Sequence, residues 1–453
     1  MNNYGFQFAE TYTGYWNIPN IGRKIPGTIF LEKHFIRLEL FWNNTTSNDL
    51  RILSSATGYA YTERNNKKCC YYFTLKDLYL YHISWFGKHQ SQYKFDVYSL
   101  FLSDKPRSLT NGVLNCCMRT SLMDKWLWDY TQGNYENFWP FKDDESIEVK
   151  YHSKPSLTLY DSPLYHIYIK TGYEAHTPNA DGFNMTTNSF LNIELKRKHQ
   201  FYDALDLTES IIWLFSLLWK NQFTPDFIEF RTSKSKFIYK QSDRCSYKYR
   251  DVTNDTLATL ISDYKEGELS SIIEKWLGVV TKEKYSIGTF FETQFNEHTT
   301  PSSLLKNYVS VIDGLSRDFS IPTTGQTLDN FRSQKYESIF KIIKSVLKPN
   351  EFNEIKMAVL RESPTELKPR LGHILELLSI YVNIELDKTF VPTVVNTRNL
   401  ITHSKTTRTS VFSKEQYRDV AFCLEKLIMA YLLYSVGVEK SVAQKIIGKI
   451  EMK

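Results

Sequence analysis

Three residues near the C-terminus have the types and spacing for chemistry: Arg398, Asn399 and His403, in the stretch TRNLITHS from Thr397 to Ser404. On a helix Asn399 and His403 are four residues apart, so their side chains stand one above the other. Arg398 lies about 100° round the axis, and its long fork can swing over the same face. An imidazole, an amide and a guanidinium then converge on one small patch. Imidazoles pass protons near neutral pH. A guanidinium holds two phosphate oxygens and offsets charge that grows in a transition state. The amide can orient the imidazole or a ribose. Together they suit cleavage of a phosphodiester without a metal. One group is missing, because RNA cut by its own 2′-OH needs one proton removed and another supplied. Two copies of the patch facing across a two-fold axis would provide both.

An Arg and a His with four to six residues between them arise by chance about once in a chain of this composition. A gap of four with Asn directly after the Arg brings the expectation to roughly one in fifty. The plain alternative is a solvated arginine and a histidine at a helix end. Just beyond the motif, Lys405 and Arg408 are candidate RNA-binding residues, since they would flank a phosphate held by Arg398. Asp387 to Lys453 carry eleven Lys plus Arg against six Asp plus Glu, so the motif lies in a basic region.

The elements that must position this patch are helical. DKTFVPTVVNTRNLITHSK reads as a helix entered near Pro392, which is tolerated only in the first turn. A strongly apolar helix, RDVAFCLEKLIMAYLLYSVGV, follows. After about Asn254 the apolar period is 3.6, with helices expected near 254–277, 302–317, 326–347, 351–362, 364–383, 387–405 and 413–436. Ser363 and Glu366 have capping-box spacing around Pro364. To about Leu195 the period is instead two. FIRLELFW, YKFDVYSLFL, SIEVKYH, LYHIYIK and SFLNIELK alternate apolar and polar residues, as antiparallel strands do. A helix near 202–220 and a strand pair in PDFIEFRT and KFIYKQ follow. The expected fold class is α+β: a β-rich, antiparallel, sandwich-like region over 1–200, a mixed connector over 201–300, and an all-helical bundle over 301–453.

At 453 residues the chain has room for two or three cores. The formal charge of +6 permits a polyanionic partner without demanding one. Six cysteines form no zinc spacing, and their two vicinal pairs would bridge each other only with strain, so reduced, buried thiols are expected. The N-terminus lacks the basic start and apolar run of a signal peptide, and IIWLFSLLW is about half a membrane span. These features fit a cytoplasmic protein that spans no membrane. No P-loop, GxGxxG or HExxH pattern occurs, and neither a cofactor nor a metal is expected. The basic run KRKH (Lys196 to His199) reads as a solvated strand end, His373 as a core or interface histidine, and the acidic DDESIE (Asp143 to Glu148) as a solvated loop. Most Tyr and Trp of the β half read as core, although such rings can also stack bases.

RNLITH followed by LEKLIMAYLLYSVGV resembles the end of a HEPN domain, a helical bundle whose ribonuclease members carry an Arg and a His with four to six residues between them and a polar residue after the Arg. GYWNIPNIGRKIPGTIFLEKHFIRLEL separately resembles the N-terminal domain of the ApeA proteins, HEPN-containing anti-phage defence proteins of bacteria. The resemblance implies a metal-independent endoribonuclease acting as an abortive-infection effector, with a site shared between paired HEPN domains and activity unleashed by a phage-derived trigger. By position it makes Arg398 the phosphate contact, Asn399 its polar companion and His403 the acid–base. It also implies RNA, with tRNA one candidate, and a homodimer or tetramer as partners. Other HEPN domains are non-catalytic and hold a nucleotide or a protein, so a binding module is the alternative. An assembly protein in which the motif is an interface feature is a third.

Overall fold

The structure is a computed structural model. It describes residues 10–19, 24–32, 35–42, 52–64, 67–86, 90–103, 112–127, 135–138, 148–151, 156–179, 182–225, 227–241, 257–296, 299–316, 320–321, 326–327, 337–353, 355, 367–403 and 410–452. Two compact units divide at 274/275.

The first unit is built on alternation. Strands β1 (Glu10–Asn17), β2 (Lys24–Leu31), β3 (Ile36–Trp42), β4 (Ile52–Arg64), β5 (Lys67–Phe86) and β6 (Gln90–Ser103) pair antiparallel in the order β6-β3-β2-β1-β4-β5. Pairing of β5 with β6 closes them into a ring. Every second residue points inward: Tyr12 and Trp16, Ile25 and Ile29, Leu38 and Leu40, Phe73 and Leu75, Tyr93 and Phe95 are all buried in one core. The barrel interior is therefore filled by side chains, as period-two strands with one apolar face require. Trp16 fits because two of its neighbours have no side chain. A Cβ on Gly58 would stand 2.4 Å from the indole Cε3, and one on Gly27 would stand 2.9 Å from its Cδ1.

Strand β6 outgrows the ring. Its first half pairs with β3, while Ser99–Ser103 pair with a later strand and carry the sheet onward. In chain order the remaining elements are β7 (Val113–Arg119), the short helix α1 (Ser121–Trp126), a separate hairpin of β8 (Tyr135–Phe138) and β9 (Glu148–Tyr151), β10 (Leu157–Asp161), β11 (Tyr165–Asn179), β12 (Gly182–His199), helix α2 (Phe201–Trp219), β13 (Phe227–Thr232) and β14 (Lys236–Gln241). From β6 the sheet runs β14-β13-β7-β12-β11-β10. The antiparallel β-rich region read from the sequence is present. Its strands form a ring continued by an open sheet, where a sandwich would stack two sheets. A second aromatic core, Trp126, Phe215, Trp219, Phe223 and Tyr264, joins α1 and α2 to the segment beyond β14.

Cys116 and Cys117 lie on β7, out of solvent, and burial pushes both thiols up to about 12; Cys423 is raised to about 11 for the same reason. At pH 8 their thiolate fraction is on the order of 10⁻³ or lower. Alkylation of the native protein at pH 8, mapped by mass spectrometry, should leave Cys116 and Cys117 unmodified until denaturant is added. Labelling of either in the native state would contradict the packing.

The helices described in the second unit include α3 (Glu268–Phe295), α4 (Pro301–Leu315), α5 (Glu337–Val346), α6 (Leu367–Ser379), α7 (Phe390–His403), α8 (Tyr417–Ser435) and α9 (Lys440–Ile447); the division at 274/275 falls inside α3. Thr300 caps α4 through the Ser303 amide, with Pro301 in the first turn. Helix α8 supplies the centre, burying Val420, Leu424, Leu427, Ile428 and Leu432 at helical spacing. Its Glu425 accepts hydrogen bonds from Gln294 (2.9 Å) and the Tyr308 hydroxyl (3.3 Å), tying α3 and α4 to it. Arg370 on α6 is 5% exposed and meets Asp313 on α4 at 2.8 Å. Asp313→Ala would leave that guanidinium short of its carboxylate. We expect a loss of about 2 kcal/mol, less than for a fully buried pair because Asp313 is partly solvated. Urea unfolding followed by helical circular dichroism tests this, and an unchanged midpoint would contradict it.

Two expected helices are corrected. The one placed at 254–277 begins only at Glu268 and runs to Phe295, kinked at Glu283. Ahead of it lie a 3₁₀ turn at Ile261–Asp263 and Gly267 at φ +78°, a conformation that ends regular helix. Beyond 277, the low helix propensity of Gly278 and Gly288 is overridden by an apolar stripe including Val280, Ile287 and Phe291. The one placed at 326–347 is helical at 337–346, and Gln326–Thr327 pair instead with Ser320–Ile321. The capping box at Ser363 and Glu366 lies outside the described residues, as do residues 143–147 of the acidic run. No helix among the described residues is long and apolar enough to cross a membrane.

Candidate active site

Helix α7 carries the motif. Pro392 falls in its first turn, where its missing N–H leaves no helical bond unmade. Phe390, Thr393, Val394 and Thr397 form the buried face. At about 100° per residue, Asn399 and His403 fall on the opposite face and Arg398 on the flank. Arg398 and Asn399 are half-buried; His403, in the last turn, is exposed.

The Arg398 Nη1 donates to the Asn399 Oδ1 at 3.1 Å. The amide thus anchors one end of the guanidinium and leaves its remaining N–H groups to other acceptors. His403 has no hydrogen-bond or ion-pair partner among the described residues, so its imidazole is available to an incoming ligand. One helix therefore presents a positioned cation and a free acid–base group, and it presents one of each. No group of three His, Cys, Asp or Glu that could hold a metal ion occurs among the described residues.

Two side chains not singled out in the sequence fix the far side of this surface. The Thr397 Oγ1 donates to the Thr393 carbonyl (2.7 Å) and accepts from the Phe412 N–H (2.9 Å). Asn396 Nδ2 donates to the Ser410 carbonyl (3.2 Å), and the Phe390 and Phe412 rings sit 6.0 Å apart. The chain returning from the motif is thereby pinned back onto α7 before α8 begins. The available signal was a pair of threonines four residues apart among valines, a spacing that puts Thr393 and Thr397 on the apolar face.

Lys405 and Arg408 lie outside the described residues. Of the other candidates, His373 is half-buried on α6. Lys196 forms an ion pair with Asp161 (2.6 Å) at the end of β12.

No curated protein and no solved structure matches the chain. One family model does, described as Apea-like HEPN, over residues 306–442, a span that holds α6, α7, α8 and the whole Arg398–His403 motif. The C-terminal helical region is an Apea-like HEPN domain.

Proposed function

We propose that the protein is a metal-independent endoribonuclease of the HEPN type, serving in the cytoplasm as an anti-phage defence effector. The observation that carries this reading is the Arg398–Asn399 contact beside an exposed His403 within the matched HEPN region. The guanidinium holds the scissile phosphate and offsets charge as the RNA 2′-OH attacks. His403 moves a proton at an attacking or leaving oxygen. Each copy of the motif offers a single imidazole, so the second proton transfer falls to the same residue of a paired copy. The products are a 2′,3′-cyclic phosphate and a 5′-OH. Structured RNA such as tRNA is the substrate class, and a phage product acting through the β-rich unit is the trigger.

Helix α5 supports pairing. Ile339, Ile342 and Val346 recur at helical spacing and are all exposed, with Val346 at 78%. Such an apolar stripe is suited to a second copy. The reading is tested by incubating purified protein with labelled RNA in EDTA, with and without lysate from infected cells. Products ending in cyclic phosphate are expected. Cleavage that requires added divalent metal, or none under either condition, would overturn it in favour of a non-catalytic binding module.

A further inference from the structure

The barrel also has an outer surface with its own chemistry. A cleft of about 1130 Å³ lies in the first unit between the outer face of β1, β4 and β5 and the β13–β14 turn, where the end of β12 also reaches it. Strand register builds its floor. Tyr15 is directly opposite Tyr59, and Tyr59 is directly opposite Tyr72, so three rings occupy one row across three adjacent strands. The rings of Tyr59 and Tyr72 are 4.7 Å apart, while Tyr15 is 61% and Tyr59 46% exposed. The next outward row, Lys24–Asn17–Thr57–Thr74, is polar and begins with a cation. The opposite wall adds Lys198, His199 and Lys234.

None of the described lining residues is acidic, although the whole chain carries 50 Asp plus Glu against 56 Lys plus Arg. Lys24 and Lys198 have no ion-pair partner among the described residues; the Asp161 carboxylate pairs with Lys196 instead. The Nε2 of His199 is shielded from water and makes no hydrogen bond. Gln200, also on the lining, begins the 19-residue helix α2 without a side-chain cap, so the positive end of that helix reaches the same wall. An exposed aromatic row on its own is ordinary strand composition. An aromatic row with Lys24 beside it, and Lys198 and an uncapped helix end on the opposite wall, calls for a ligand with a flat π-face and a compact negative charge.

We infer that this cleft binds a nucleotide unit, its base stacked on the Tyr15–Tyr59–Tyr72 row and its phosphate held by Lys24, Lys198 and the His199–Gln200 corner. The unit can be a free nucleoside phosphate or one residue of a single strand. Its occupancy does not depend on whether the C-terminal domain cleaves RNA. The full chain is titrated with a fluorescent ATP analogue and, separately, with a labelled 2′-O-methyl octauridylate, which has no nucleophilic 2′-OH. One probe should bind, and which one identifies the source. The Lys24→Glu/Lys198→Glu variant should weaken that binding at least tenfold. Tyr59→Ala should weaken it about tenfold, while Tyr59→Phe, which keeps the ring, should retain it. Strand binding should fall with salt at a log–log slope of about −1.4, from two lysines at about 0.7 each. Failure of both probes to bind, or binding that the charge-reversal and Tyr59→Ala variants leave unchanged, overturns the inference.

Discussion

His403→Ala is expected to lower the rate of RNA cleavage by about 10²–10⁴, the range that one positioned proton-transfer group supplies. The stability of the domain should hardly change, because His403 is exposed at the end of α7 and has no described partner. Arg398→Ala should cost a comparable factor, about 10²–10³, by removing a donor aimed at developing negative charge. Arg398→Lys should recover only part of it, since an ammonium keeps the charge but loses the fork that meets two phosphate oxygens. Asn399→Ala should be milder than either. It frees the guanidinium from its 3.1 Å contact and lets it wander, but removes no reacting group. The variants are compared by single-turnover cleavage of labelled RNA at fixed salt. Cleavage by His403→Ala at the wild-type rate would remove the imidazole from the mechanism.

Gly58→Ala is expected to destabilise the barrel by about 3 kcal/mol. On an ordinary strand the sign would be opposite, because alanine loses less conformational freedom on folding than glycine, by about 0.5–1 kcal/mol. Here the new methyl would sit 2.4 Å from one edge of Trp16. The indole has no space to retreat, since it is fully buried within a ring of six strands, and a methyl-free Gly27 already lies against its Cδ1. Trp16→Phe alone should also destabilise by leaving a void. Combined with Gly58→Ala it should do less harm than the sum, because the smaller ring makes room for the methyl. Urea midpoints of the four proteins give the coupling directly. Additive losses, or a raised midpoint for Gly58→Ala, would contradict this packing.

The strands were legible because alternation is a local signal: Ile36, Leu38, Leu40 and Trp42 announce both their conformation and their buried side. Closure of the ring was not. It depends on β6 pairing with β5 on one edge and with both β3 and β14 on the other, and no local pattern encodes a shared strand. The same limit applies to the cleft. Tyr15, Tyr59 and Tyr72 are far apart in the chain, and each alone reads as a core aromatic; only the register puts them in one outward row. The motif on α7 was the opposite case, since a four-residue spacing on a helix fixes the relation of Asn399 to His403 without any tertiary knowledge. The Thr397–Phe412 hydrogen bond that helps hold α7 joins residues fifteen apart in the chain, and its only sequence signature is the pair Thr393 and Thr397 among valines. The start of α3 was misplaced because a 3.6 period persists weakly through residues that Gly267 keeps out of the helix.

In the proposed nuclease, an imidazole from each of two chains serves one scissile linkage. This arrangement is tested most directly by the separation of the two His403 rings in the assembled protein, determined with a 2′-O-methyl RNA bound. Both rings are expected within hydrogen-bonding distance, about 3 Å, of oxygens on the same phosphodiester, with an Arg398 guanidinium against it. Two His403 rings opening onto separate solvent, with no pairing of the HEPN domains, would contradict it.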